Sequence, residues 1–112
     1  MKLNTEEKNN VFIISLRDKR LDSRNAVEFK NLLLKLINEE KKKRILIDMN
    51  EIDFIDSAGL GAIVSALKNI GKNGDLKIVN PRAQVKDMLE LTRLNLVFNI
   101  FDNLEASLNS FN

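Results

Sequence analysis

A chain of 112 residues with 44% hydrophobic and 30% charged residues has the size and balance of one soluble globular domain, which excludes a disordered or fibrous class. Its formal charge of +2 is too small to argue for nucleic acid by bulk electrostatics. Cysteine and histidine are both absent, which excludes disulfides, thiolate or imidazole metal sites and Ser-His-Asp or Cys-His catalysis, and leaves carboxylate and lysine chemistry open.

Met1 to Asn10 is polar, without the apolar core of a signal peptide, and no apolar run approaches the ~18 residues that span a bilayer. A cytoplasmic protein without membrane attachment is expected. Val11 to Leu16, rich in β-branched and aromatic residues, predicts a strand paired with Lys2 to Lys8 through the turn signal Asn9-Asn10. Ala26, Phe29, Leu32, Leu33, Leu36 and Ile37 then recur at helical spacing, predicting a helix to about Lys42 with Asp22 or Ser23 as its cap. Lys41-Lys42-Lys43-Arg44 has the look of a nucleic-acid patch, but cations at a helix end after Glu39-Glu40 are better read as solvated partners of the dipole.

Ile45 to Met49 is a short apolar run suited to a central strand with both faces covered. Leu60, Ile63, Val64, Leu67 and Ile70 form a second helical stripe, ending at Gly71 with Lys68 and Lys72 nearby. Leu76 to Val79 is a strand. Asn80-Pro81 reads as a cap followed by proline at the first helical position, opening a helix with Val85, Met88, Leu89 and Thr92 on its stripe. Val97 to Phe101 predicts a last strand, and Leu104, Leu108 and Phe111 a terminal helix. This alternation predicts an α/β fold in one domain, residues 1–112, with a mixed, mainly parallel sheet of about five strands, an antiparallel opening hairpin and about four helices.

Between the central strand and the second helix lies Ile52-Asp53-Phe54-Ile55-Asp56-Ser57-Ala58-Gly59-Leu60-Gly61. Asp56 and Ser57 can each serve as an N-cap, and Gly59 and Gly61 sit in the first turn, where each glycine costs up to about 1 kcal/mol against alanine. Two readings account for that cost. Either the glycines clear one face of the helix start so that a phosphate or partner surface approaches Ser57, or Ser57 merely caps the helix and the glycines relieve crowding against the sheet. Local physics alone leaves both standing.

Asp56-Ser57-Ala58-Gly59-Leu60-Gly61, preceded by Ile52 and Phe54-Ile55 after an Ile-Leu-Ile-Asp strand, resembles the signature of the STAS domain family, particularly the bacterial anti-sigma factor antagonists. Leu21-Asp22-Ser23 resembles that family's approach to its first helix, and the likeness in length and element order covers nearly the whole chain. The resemblance implies partner switching. The unmodified protein would bind an anti-sigma factor that is also a serine kinase and so free a sigma factor. Phosphorylation of Ser57 would reverse that binding, and a separate serine phosphatase would restore it. Many relatives have Ser or Thr where this chain has Ala58, so Ser57 is the one acceptor hydroxyl of the motif. The implied contact surface joins Leu21, Asp22 and Ser23 to Asp56, Ser57, Ala58, Gly59, Leu60 and Gly61, which a mixed sheet can bring together at its strand ends.

The chain would then be a monomeric phosphoacceptor rather than an enzyme, with no cofactor. Within the family a scaffold in another signalling or lipid-transport assembly is the alternative. A weak nucleotide-binding or hydrolase role is the enzyme-class alternative, although no Gly-x-x-x-x-Gly-Lys loop is present. Asp22, Asp48, Asp53 and Asp56 invite a magnesium reading, but strand-end and loop positions are the simpler account, and no metal is expected. Met49 and Met88 read as core.

Overall fold

In the computed structural model, which describes residues 1–111, Asn9 and Asn10 turn the chain at positive φ, 55° and 65°. Two successive left-handed residues make the type I′ turn of a two-residue hairpin, and asparagine tolerates that conformation. The turn joins β1 (Leu3–Lys8) to β2 (Val11–Leu16), antiparallel, with Lys8 opposite Val11 and Leu3 opposite Leu16. After a two-residue strand, β3 (Arg20–Leu21), come α1 (Ala26–Asn38), β4 (Arg44–Asp48), a second short strand, β5 (Phe54–Ile55), and α2 (Ser57–Ile70). The chain continues through β6 (Asp75–Val79), α3 (Ala83–Leu91), a 3-10 turn at Leu94–Leu96, β7 (Asn99–Phe101) and α4 (Leu104–Asn109).

Among the described residues the main sheet has five strands in the order β1-β2-β4-β6-β7, parallel except for the opening pair. The parallel pairs follow from the helical crossovers between their strands. In the central β4, Ile45, Leu46 and Ile47 are all fully buried, because both faces of the sheet are covered. Ile45 and Ile47 join Phe29 and Leu33 of α1, Leu60, Ile63 and Ala66 of α2, and Val85 and Leu89 of α3 in one core. Burying a side chain such as Phe29 contributes roughly 1.5–3 kcal/mol relative to exposure. Leu46 faces the other way, onto Val11, Ile13, Val79, Leu108 and Phe111 beneath α4. Lys77 is only 7% exposed on that face. Its ammonium donates to the Ser110 carbonyl and hydroxyl, each at 3.0 Å, and lies 4.5 Å from the Phe111 ring centre, tying the end of α4 to the sheet.

Several boundaries differ from the sequence expectation. The first helix stops at Asn38 rather than Lys42, because Lys41 takes φ 58° and the Lys42 N–H reaches back to the Leu36 carbonyl. The basic run therefore lies beyond the helix. Lys42 pairs with Glu7 and sits over the Phe12 ring, and Arg44 opens β4. Asn25, not Asp22 or Ser23, precedes α1, while Asp22 closes a turn through its own carbonyl, which accepts from Asn25 and Ala26. Asn80 does not cap α3. Its N–H still extends the sheet to the Phe101 carbonyl, and its φ of 58° bends the chain afterwards, so Pro81 lies two residues ahead of the first helical residue. Thr92 is an exposed C-cap whose hydroxyl donates to the Met88 carbonyl, not a core residue. The last strand begins at Asn99, with Val97 exposed and Phe98 buried.

Candidate functional site at the start of the second helix

Two short strands build the site. Arg20 pairs with Phe54 and Leu21 with Ile55, in parallel, and the Asp56 N–H donates to the Leu21 carbonyl at 3.3 Å. Residues 20–23 thus lie against residues 54–57. The ladder is only two residues long, and α3 completes it. The Ile55 N–H donates to Gln84 Oε1 at 2.8 Å, and Gln84 Nε2 donates to the Ile55 carbonyl at 3.0 Å, so one side-chain amide satisfies both outward groups as a third strand would. Arg82 fixes the preceding loop by donating to the Asn50 carbonyl at 2.6 Å and to Asp53 at 2.8 Å.

Asp56, in extended conformation, is the N-cap of α2. One carboxylate oxygen accepts the Gly59 N–H at 3.0 Å, and the other accepts the Ser23 N–H at 3.2 Å. The cap is therefore Asp56 alone of the two candidates, and Ser57 is the first helical residue, exposed to solvent. Its hydroxyl carries no capping duty.

The two glycines have different explanations. Gly59 is buried, and a Cβ there would overlap the Leu21 carbonyl oxygen and lie 2.8 Å from Ile55 Cγ1. The fold demands glycine at that position. Gly61 is exposed, and a Cβ there would meet nothing within 4 Å. Crowding thus accounts for Gly59 only.

The β3–β5 ladder and the Ser23–Asp56 hydrogen bond bring Leu21–Ser23 beside Asp56–Gly59, with Leu60 ending the first turn of α2 and Gly61 opening the second. Leu21, Asp22, Gly59 and Leu60 are buried, so they support the patch from below. Ser23, Ser57 and Gly61 are exposed and Asp56 and Ala58 are half-buried, so these five present its surface.

Arg20, Arg24 and Gln84 belong to the site but were not singled out from the sequence, and Phe54 was named there only within the motif, without a role. Asp22 accepts from the Arg24 side chain at 3.1 Å, the Arg24 N–H at 3.1 Å and Arg20 Nε at 3.1 Å. Arg24, through its side chain first and its amide second, holds the Asp22 carboxyl at a pKa of about 2, against an ordinary 3.8. Arg20 in turn lies 4.2 Å over the Phe54 ring. The signal available was the Arg20-x-Asp22-x-Arg24 alternation, which a loop gives no period to interpret. The four aspartates do not converge: Asp22 serves the arginines, Asp48 accepts from the Asn50 N–H, Asp53 pairs with Arg82, and Asp56 caps. Among the described residues no group of three or more His, Cys, Asp or Glu side chains is arranged to hold a metal ion.

The STAS domain family model matches residues 2–107, and the chain belongs to that family. It is similar to a Thermotoga maritima protein named as an anti-sigma factor antagonist, with 29% identity over 97 residues and 86% of each chain covered. Among solved structures, it is similar to an anti-sigma factor antagonist from Mycobacterium paratuberculosis, with a TM-score of 0.88 and 18% identity over 97% of this chain and 92% of that one. It is also similar to the Bacillus cell fate determinant SpoIIAA in its phosphorylated form, with a TM-score of 0.76 and 15% identity over 99% of this chain and 100% of that one. Among the described residues, no helix is long and apolar enough to cross a membrane.

Proposed function

We propose that this chain is an anti-sigma factor antagonist that works by partner switching in the cytoplasm. Unmodified, it binds an anti-sigma factor that is also a serine kinase and thereby releases a sigma factor. The kinase transfers phosphate from ATP to Ser57, which ends the binding, and a serine phosphatase restores it. The chain itself is a monomeric phosphoacceptor with no cofactor or metal of its own.

The observation that carries this reading is the division of labour at the helix start: Asp56 makes the cap, which leaves Ser57 exposed beside it. A phosphoserine there adds about −1.5 to −2 charge at a helix N-terminus, where free N–H groups and the dipole stabilise an anion. The fold therefore tolerates the modification. The same charge beside Asp56 must be desolvated when a partner docks, and like-charge repulsion and desolvation then oppose binding. Family membership and the relatives named as anti-sigma factor antagonists support the same role.

Intact mass measurement after incubation with ATP alone, and then with ATP and a serine-kinase anti-sigma factor, tests it. One added phosphate, only with the kinase and only on Ser57, is the expected result. Phosphate gained from ATP alone would indicate an enzyme instead.

A further inference from the structure

The helices α1, α2 and α3 are the crossovers between parallel strands, so all three run from the end of the sheet near Ser57 to the opposite end. Soon after each helix the chain passes through a residue with positive φ: Lys41 at 58°, Gly71 at 68° and Arg93 at 61°. Glycine is the usual occupant of such a helix exit, because a Cβ there crowds the following carbonyl. Only α2 has it. The other two exits hold an exposed cation where the backbone favours glycine.

The sheet register gathers further cations around them. Lys8 ends β1, Arg44 opens β4 opposite Asp75, and the turn carrying Lys72 closes where the Asp75 N–H donates to the Lys43 carbonyl at 2.7 Å. Among the described residues, none of the six cations Lys8, Lys41, Lys43, Arg44, Lys72 and Arg93 makes an ion pair. Glu7 is taken by Lys42, which leaves Glu39, Glu40 and Asp75 as the acids that stand among them. This end is therefore basic, although the whole chain carries only +2. Apolar side chains stand out beside the charge. Of the four large hydrophobic residues left mostly exposed among the described residues, three lie at the end of α3 and just beyond it: Leu91 at 79%, Leu96 at 74% and Val97 at 60%. Asn99 pairs with Lys77, which brings Val97 near the level of Asp75, at the same end of the sheet.

A bound peptide would meet such groups along one line. Here they spread across five strands at roughly 4.8 Å spacing, about 19 Å from β1 to β7, which suits a broad, flat partner. Cations interspersed with protruding apolar side chains match an anionic lipid leaflet, whose headgroups attract lysine and arginine and whose acyl boundary takes up leucine and valine. We infer that this end of the molecule docks on anionic bilayer surfaces. Lying on a bilayer requires no spanning helix. Ser57 stands at the far end of α2, about 20 Å away by helix rise, and so faces solution while the chain is attached. Docking is independent of Ser57 and its phosphorylation.

Co-sedimentation of the full chain with two kinds of vesicle, phosphatidylcholine alone and equal parts phosphatidylcholine and phosphatidylglycerol, tests this. The chain should sediment with the anionic vesicles only, and high salt should release it. Lys41→Gly combined with Arg93→Gly removes two cations, each contributing about fivefold near such a surface, so binding should weaken about 25-fold. Tm should rise in that variant, because glycine suits both backbone positions. Leu96→Ser combined with Val97→Ser should also weaken binding, at unchanged charge and Tm. Equal binding to both vesicles, no binding to the anionic ones, or undiminished binding by either double variant would overturn the inference. Loss of binding confined to variants with a lowered Tm would overturn it too. Tighter binding to a DNA duplex, indifferent to Leu96 and Val97, would overturn it in favour of nucleic acid.

Discussion

The Ser23 amide donates to Asp56 across 33 residues of sequence, at 3.2 Å, with the carboxylate oxygen that the helix cap leaves over. One side chain thereby joins the loop before α1 to the start of α2. Asparagine caps helices as well as aspartate but offers an NH2 group in place of the second oxygen. Asp56→Asn is therefore expected to keep the Gly59 bond and lose the Ser23 bond, at about 0.5–1.5 kcal/mol of stability. Amide exchange read residue by residue checks this: Ser23 should exchange faster while Gly59 stays protected. Equal protection of Ser23 in both proteins would show that the tether is not what holds the loop.

Gly59→Ala should destabilise the fold by about 1–3 kcal/mol, because an added methyl must displace the Leu21 carbonyl or the Ile55 side chain in a packed site. Urea unfolding of this variant beside Gly61→Ala should move the two midpoints in opposite directions. A Gly59→Ala midpoint at or above wild type would mean that the β3–β5 ladder yields easily.

Acid should weaken the loop through Asp22. Arg24 and Arg20 lower its folded pKa to about 2 from an ordinary 3.8, so the folded chain binds this proton more weakly than the unfolded chain. The contribution is complete above about pH 4 and is lost as pH falls from there through about 2. Asp22→Asn should flatten the acid limb of stability against pH in that window, with little change in its slope near neutrality. Melting curves across the acid range provide the check, and an unchanged acid limb in the variant would remove Asp22 from the account.

Much of the architecture was legible because long periodic segments announce themselves. The Asn9-Asn10 hairpin, the buried run at Ile45–Ile47 and the stripe of α2 ending at Gly71 all stand where the residues predict. What escaped is tertiary. Strands of two residues, such as Arg20–Leu21 and Phe54–Ile55, are too short to show alternation, and their pairing is completed by Gln84 from another helix. Asn80-Pro81 carries a strong capping signal, yet the Asn80 N–H belongs to the sheet. At the site, the motif from Asp56 to Gly61 was visible as a cluster. Which of Asp56 and Ser57 caps, and which glycine the fold requires, depended on what lies across the gap at Leu21 and Ser23.

The most direct measurement is calorimetric binding of a purified serine-kinase anti-sigma factor to the unmodified chain and to the chain phosphorylated at Ser57, with melting curves of both. The phosphoserine lies at a helix N-terminus that favours anions, so Tm should be nearly unchanged. Desolvating its charge beside Asp56 can cost several kcal/mol, and each ~1.4 kcal/mol is tenfold in affinity, so binding should fall by about a hundredfold or more. Ser57→Asp, with less charge and bulk, should fall in between, and Ser57→Ala should bind as the unmodified chain does. Equal affinity of the phosphorylated and unmodified proteins, or phosphate mapped to Ser23, Ser65 or Thr92 with Ser57 unmodified, would contradict the switch.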